Sequence, residues 1–467
     1  MVTKFCVSSL TYSSYLAMVN FSIVMGGFMN LTRRRFLRYG AAAGILTVAG
    51  GCRPQVQGMD EASLLLTNSE MDFSTKQRLA ATKSQLLGYP INMNTPSEAF
   101  FAWRRQLNEA GFGQFAFNNV GNPYKPSPIP FNSPDFEREL IQRFARLYAF
   151  PENDLWGFLS HSGTDSNMHG MYMGRTLLQG RTGKTPKAYF TKEAHYSVQI
   201  LRDLLGLQGI EVQTTADAAM DTEDLQRKLF ANRDHPALVV ATIGTTFKGA
   251  IDPIDAIRQV LQNHPSFLHL DAALFGGYLP YTPYAQQVAC QATGHSALRY
   301  DAIAVSCHKF FGFPSPAGLF ITTASHFEEF NRYFSKIHNP EYIHHVPGTI
   351  TCSRDAVKPA EFYYFSTPNA LQTLADDAQA MLQNTEYLLL QLNQHFPKLQ
   401  SMRANALSNT LYFRQPSNRI IQKYSLATMR LHGDGKLQDF AHVVVMPHVN
   451  RPVIDEFLSD LAAEPSI

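Results

Sequence analysis

Four short stretches carry residue types that could do chemistry together. Lys309 follows an apolar run at 302–305 and sits in the turn Ser306-Cys307-His308-Lys309-Phe310-Phe311-Gly312. A lysine flanked by a histidine and two phenylalanines loses hydration, which lowers its pKa and makes the amine a nucleophile. The plain alternative is a strand-end lysine that reaches out to water. Asp271 ends a second apolar run, 267–270, and is followed by Ala272 and Ala273. A carboxylate in such company needs a cation or hydrogen bonds. A structural ion pair meets that need, and so does a protonated ring nitrogen. Ser162-Gly163-Thr164 stands between a third apolar run and a helical segment. Backbone N–H groups and hydroxyls there suit a phosphate, or simply cap the helix. His195 opens another helical segment, where it either caps the helix or presents a flat ring to a ligand.

The elements that must position these residues repeat along the chain. Short apolar runs at 156–159, 187–190, 237–243, 267–270, 302–305 and 319–323 read as buried strands. Helical segments at 168–178 and 197–205 alternate with them. Such alternation gives an α/β fold with a large, mostly parallel sheet covered on both faces. Ligands bind such sheets at the carboxyl ends of the strands, and all four clusters fall at those ends. An amine, a phosphate cradle, an acid for a ring nitrogen and a flat ring are the parts required by pyridoxal 5'-phosphate. That cofactor is an aldehyde held by a lysine as a Schiff base, with an acidic partner at its ring nitrogen.

Around this centre the spacing predicts a helix over 135–148, with Ser133 as its cap and Pro134 at its first position. Residues 53–134 read as a polar tether leading into an amphipathic helix and then a Pro, Gly and Asn-rich arm. Residues 135–350 form the large domain. From 351 the pattern changes to a long helix at 360–394, alternating strands at 407–414, 424–431 and 442–446, and a terminal helix at 452–463. This is a small C-terminal α+β domain.

The composition excludes several classes. The chain has 467 residues, 45% hydrophobic and 17% charged, with a formal net charge of +2. That supports a sizeable core and gives no charge pattern for a nucleic-acid partner. Five cysteines, Cys6, Cys52, Cys290, Cys307 and Cys352, are odd in number and irregularly spaced. Neither a disulfide framework nor a metal site is indicated.

The first 52 residues read as an export signal. Arg33, Arg34, Arg35 and Arg38 precede a mild apolar stretch at 40–48 that is too short to span a bilayer. Thr32-Arg33-Arg34-Arg35-Phe36-Leu37 resembles a twin-arginine motif, and Val48-Ala49-Gly50-Gly51-Cys52 resembles a lipobox with Cys52 as the lipidated residue. The expected location is exported, periplasmic or anchored to a membrane through Cys52, and cytoplasmic if the signal is not used. Met25 or Met29 would place the arginines near a start, while 15–29 reads alternatively as a weak anchor.

Several motifs in order resemble one family. These are Phe117-Asn118-Asn119-Val120-Gly121-Asn122-Pro123-Tyr124, the stretch 156–167, Ala194-His195-Tyr196-Ser197, the stretch 243–252, Asp271-Ala272-Ala273-Leu274-Phe275-Gly276, and 306–312 around Lys309. The chain resembles the pyridoxal-phosphate-dependent group II decarboxylases, most of all the bacterial histidine and plant serine decarboxylases, from about residue 88 to 458. The resemblance implies the aspartate-aminotransferase-like type I fold and a homodimer. It also implies decarboxylation of a small L-amino acid, histidine or serine first. By position it makes Lys309 the Schiff-base lysine, His195 the ring-stacking histidine and Asp271 the ring-nitrogen partner, with Ala273 on the other ring face. Ser162, Gly163, Thr164, Thr246, Ser306 and His308 fall where the family contacts phosphate or ring substituents. Lys309 and His195 are the catalytic candidates, and Tyr342 is a candidate proton donor or lid residue. The chain departs from the family pattern at Ser162 and Ser166, where glycines are usual, and at Asp355-Ala356-Val357. Alternatives are another type I enzyme, such as an aminotransferase or lyase, or an inactive cofactor-binding surface protein.

Overall fold

Twelve strands and twelve α-helices occur among the described residues, 73–433 and 436–464, of the computed structural model. The export signal, Cys52 and the start of the tether lie outside the described residues. The strands are β1 (Asn118–Val120), β2 (Trp156–Ser160), β3 (Lys187–Thr191), β4 (Gln208–Val212), β5 (Ala237–Thr242), β6 (Ser266–Asp271), β7 (Ala302–Ser306), β8 (Gly318–Thr322), β9 (Ser353–Asp355), β10 (Thr410–Arg414), β11 (Ala427–Gly433) and β12 (Lys436–Val444). The helices are α1 (Phe73–Ala81), α2 (Glu98–Glu109), α3 (Pro134–Leu147), α4 (Gly163–Thr182), α5 (Tyr196–Leu204), α6 (Thr222–Ala231), α7 (Ile254–Leu261), α8 (Ala324–Phe334), α9 (Val357–Phe362), α10 (Pro368–His395), α11 (Asn418–Lys423) and α12 (Arg451–Ala462).

The large sheet has the order β2-β8-β7-β6-β5-β3-β4. The pairs β3–β4, β3–β5, β5–β6 and β6–β7 are parallel, and only β8 runs against its neighbours. Side chains alternate between two cores. On β5, Ala237, Val239 and Ala241 enter one apolar cluster while Leu238 and Val240 enter the other. The period of two along a strand, with both faces covered, is why the strands read as continuous apolar runs. Phe267 and Phe320 are fully buried on the side covered by α4 and α8, where each contributes roughly 2–3 kcal/mol of burial.

A second antiparallel sheet, β10-β12-β11, builds the small C-terminal layer with α10 and α12. The arm joins this layer. The N–H of Leu87 donates to Tyr424 O at 3.0 Å, and that of Val444 donates to Leu87 O at 2.8 Å.

The structure corrects several local expectations. β4 has no counterpart among the expected strands: it is the edge of the sheet, with little of its sequence buried, so it lacks an apolar run. The expected helix at 360–394 is two helices, because Pro368 starts a new one and forces Thr367 into extended backbone. Ser133 does not cap α3 with its side chain. Its hydroxyl donates instead to Ala356 O at 2.6 Å.

Candidate active site

β2, β5, β6 and β7 end at one edge of the sheet, and β8 begins there. Register places Ser160 and Ser306 on either side of Gly318, and Asp271 opposite Thr242 and Ala304. A cavity of about 220 Å³ opens at this edge. Ser162, Gly163, Thr164, His195, Thr246, Asp271, Ala273, Ser306, His308 and Lys309 all line it. Residues expected from five separate stretches of sequence are thus brought to one cavity.

The lysine turn is held from the arm. The N–H of Asn92 donates to Lys309 O at 3.2 Å, and Asn92 Nδ2 donates to Phe310 O at 3.0 Å. Gly312 has φ +69°, and a Cβ there would lie 3.0 Å from Asn92 Nδ2, so the turn needs glycine on both counts. Asn92 was missed in the sequence because a Pro, Gly and Asn-rich arm signals only a loop. Burial pushes the Lys309 amine below its ordinary pKa, and the nearby Asp271 carboxylate opposes that. Burial wins, so the amine is biased toward its neutral, nucleophilic form.

Asp271 is buried, and its Oδ1 accepts the N–H of Ala273 at 3.2 Å. This leaves carboxylate lone pairs for a further partner in the cavity. His195 caps its helix. Its ring Nδ1 accepts the N–H of Ser197 at 3.3 Å at the start of α5, and pairs with Ser197 Oγ at 2.7 Å. The same ring lines the cavity. Burial lowers its pKa, Asp271 raises it, and Lys309 lowers it.

The cradle is tighter than expected. α4 begins at Gly163 rather than at 168, so the cradle residues form the first helical turn. Their N–H groups have no intrahelical acceptor, and the positive end of the helix dipole lies there. The serine that replaces a glycine, Ser162, has extended backbone with φ −168° and accepts the N–H of Asp165 at 3.2 Å. Ser166 Oγ meets Ser160 Oγ at 2.7 Å. Neither departure strains the backbone. Gly163 is closely fitted, since a Cβ there would collide with Ser306 Oγ unless that hydroxyl turned away. Asn167 was also missed; its Oδ1 meets the buried His269 Nε2 at 2.8 Å and ties α4 to β6.

Thr246 is exposed at the junction with a larger cleft of about 790 Å³ that shares His195 and includes Lys248, Tyr412 and Phe440. Tyr342 is not brought to the lysine cavity. It is 75% exposed and lines a separate apolar groove. Among the described residues, no group of three or more His, Cys, Asp or Glu could hold a metal ion.

Two buried polar atoms in the cavity wall, Thr242 Oγ1 and His308 Nδ1, have no protein partner. With a nucleophilic amine, a carboxylate and a helix N-terminus around them, the residues suit a phosphorylated pyridine aldehyde. Sequence comparison decides the matter. The pyridoxal-dependent decarboxylase conserved domain matches residues 137–396.

The chain belongs to the pyridoxal-dependent decarboxylase family.

It is a pyridoxal-phosphate-dependent amino-acid decarboxylase. Histidine decarboxylase of Solanum lycopersicum is 31% identical over 396 residues, 83% of this chain and 87% of that protein. Serine decarboxylase 1 of Oryza sativa subsp. japonica is 31% identical over 400 residues, 84% and 77% of the two chains. Histidine decarboxylase of Pseudomonas entomophila is 29% identical over 384 residues, 80% and 87%. Among solved structures, L-methionine decarboxylase of Streptomyces sp. 590 superposes with a TM-score of 0.72 at 20% identity, covering 88% of this chain and 97% of that one. The shared architecture is the type I fold expected from the sequence.

Proposed function

We propose that this decarboxylase acts on a small L-amino acid, with histidine or serine the favoured substrates. The observation that carries the reading is the convergence of Lys309, Asp271, His195 and the α4 cradle on one cavity. The names of the relatives, histidine and serine decarboxylases, support the two substrates. The larger cleft that meets the cavity at Thr246 and His195 offers Gln199, Tyr196, Tyr412 and Lys248 to a polar side chain.

Bound pyridoxal phosphate supplies a sink for the electron pair left when carbon dioxide departs. Lys309 Nζ would provide the covalent attachment for the cofactor. The Asp271 carboxylate would hold a proton at the ring nitrogen. His195 and Ala273 would hold the cofactor ring between them. The N–H groups of Gly163 and Thr164, with the Ser306 hydroxyl and Thr246, would hold the phosphate. Release of carbon dioxide from a panel of amino acids tests the substrate. Turnover of histidine or serine at least tenfold above aromatic and acidic amino acids is expected. Equal turnover of all, or preference for an aromatic or acidic amino acid, contradicts it.

A homodimer accords with the surface beside the cavity. α5 exposes Tyr196, Ile200 and Leu204, four residues apart and 56–70% exposed, and Ile337 and Tyr342 are exposed along the neighbouring apolar groove. A second copy is the occupant proposed for this face, and sedimentation at working concentration reports whether Ile200→Lys with Leu204→Lys gives monomers. We also propose export with lipidation of Cys52. Intact mass of membrane-fraction protein is expected to show a lipidated chain beginning at Cys52, and an unprocessed soluble chain refutes it.

A further inference from the structure

The charges around the cavity do not balance for a phosphate. Among the cavity-lining residues, the ionisable ones are His195, His308, Lys309 and Asp271. Lys309 gives up its free amine when it holds the cofactor. Burial lowers the pKa of both histidines. The helix N-terminus offers only about half an elementary charge, against a phosphate of about two negative charges. Apart from Lys309, no lysine or arginine lines the cavity to face the phosphate.

One lysine is fixed at the rim on that side. Lys358 Nζ donates to Pro316 O at 3.0 Å. Pro316 lines the cavity and lies two residues before Gly318. Gly318 fits between Ser160 and Ser306 in the sheet, and a Cβ on it would press on Ser162 O and Ser166 Oγ. The carbonyl that anchors Lys358 thus belongs to the turn leading into β8, whose first residue packs against the cradle. Asp355 Oδ2 forms a long ion pair with Nζ at 3.8 Å, while Asp355 Oδ1 accepts the N–H groups of Val357 and Lys358 at 2.8 and 3.1 Å. The other cation of this segment, Arg354, is committed to the buried Glu137 and to Gly121 O. Lys358 also feels the cavity electrostatically, since its charge contributes to the lowered pKa of His308.

We propose that Lys358, anchored on Pro316 O, is the cation that balances the cofactor phosphate. Its aliphatic stem keeps the charge at the rim without filling the cavity, and Nζ retains two further N–H donors. A charge held on Pro316 O acts through a partly desolvated wall, where electrostatic interactions exceed those in bulk water.

The test is equilibrium titration of the cofactor-stripped full-length protein with pyridoxal phosphate and, separately, with pyridoxal, which lacks the phosphate. Lys358→Met is expected to weaken pyridoxal phosphate binding about tenfold, while leaving pyridoxal binding unchanged. Lys358→Arg restores phosphate-ester affinity to within about threefold, because charge is what matters. Raising ionic strength weakens wild-type binding of pyridoxal phosphate more than that of Lys358→Met. If Lys358→Met folds poorly, Lys358→Gln carries the same comparison. Unchanged affinity for pyridoxal phosphate overturns the proposal. Equal losses for both ligands also overturn it, because they show that Lys358 only supports the turn.

Discussion

Gly163→Ala isolates the contact between the cradle and the end of β7. Gly163 is the first residue of α4, where alanine has no backbone penalty and has the better helix propensity, by up to about 1 kcal/mol. The new methyl meets Ser306 Oγ well inside van der Waals contact, while Ala273 Cβ and Ser306 Cβ lie at an ordinary 3.6 Å. The Ser306 hydroxyl must therefore turn away, or β7 and α4 must part slightly. Turning a side chain off its rotamer costs roughly 0.5–1.5 kcal/mol, and overpacking roughly 1–3 kcal/mol. Expressed at the cofactor site, 1–3 kcal/mol is a loss of about 5- to 150-fold in affinity for pyridoxal phosphate. Global stability in urea should change by less than about 1 kcal/mol. Ser306→Ala removes the atom that collides but leaves its Cβ at the tolerated distance. In that background Gly163→Ala should cause little further loss, so the two changes are strongly non-additive. Cofactor affinity by absorbance titration on the four proteins reads the cycle. If Gly163→Ala binds the cofactor like the wild type, or if the losses simply multiply, then Gly163 and Ser306 do not hold one ligand together.

Arg354→Met strands the buried Glu137 carboxylate, which would retain only the N–H of Leu159 at 2.9 Å and Asn119 Nδ2 at 3.4 Å. Removing one member of a buried pair should cost about 3–5 kcal/mol, read by chemical denaturation, with Glu137→Gln recovering part of it in the double variant. The structure also forecasts acid sensitivity. Burial lowers the pKa of His169 to about 3 and of His269 to about 4, below the value near 6.5 of the unfolded chain. Neither histidine affects stability well above pH 6.5. As pH falls, only the unfolded chain takes up protons, so each histidine costs about 2 kcal/mol by pH 5. His169→Phe should abolish its share, and denaturation at pH 7 and pH 5 showing the same pH dependence in variant and wild type would exclude this assignment. Both nitrogens of His169 lack partners between Trp156, Phe158 and Phe320, so the variant should be no less stable at pH 7.

What the sequence revealed and what it hid follow from range. Lys309, Asp271 and Ser162 stand at the ends of apolar runs, and such runs are local signals of a sheet buried on both faces. The cavity could be assembled from them because parallel strands deliver their carboxyl ends to one edge. Asn92 and Lys358 reach the site through backbone carbonyls far away in sequence, and Asn167 pairs with His269 across a hundred residues. No local pattern encodes such pairings. β4 escaped notice because an edge strand buries too little to need an apolar run. The break before Pro368 was legible, since proline disfavours helical backbone in the residue before it, but the strong helical pattern on either side obscured it.

The central claim is that Lys309 is the covalent anchor of the cofactor. Borohydride reduction of the holoenzyme, followed by peptide mass mapping, tests it directly. Reduction should fix pyridoxal phosphate irreversibly on the peptide containing Lys309, and Lys309→Ala should carry no such adduct and release no carbon dioxide. Attachment to another lysine in the wild type, or carbon dioxide release by Lys309→Ala at the wild-type rate, would contradict the account.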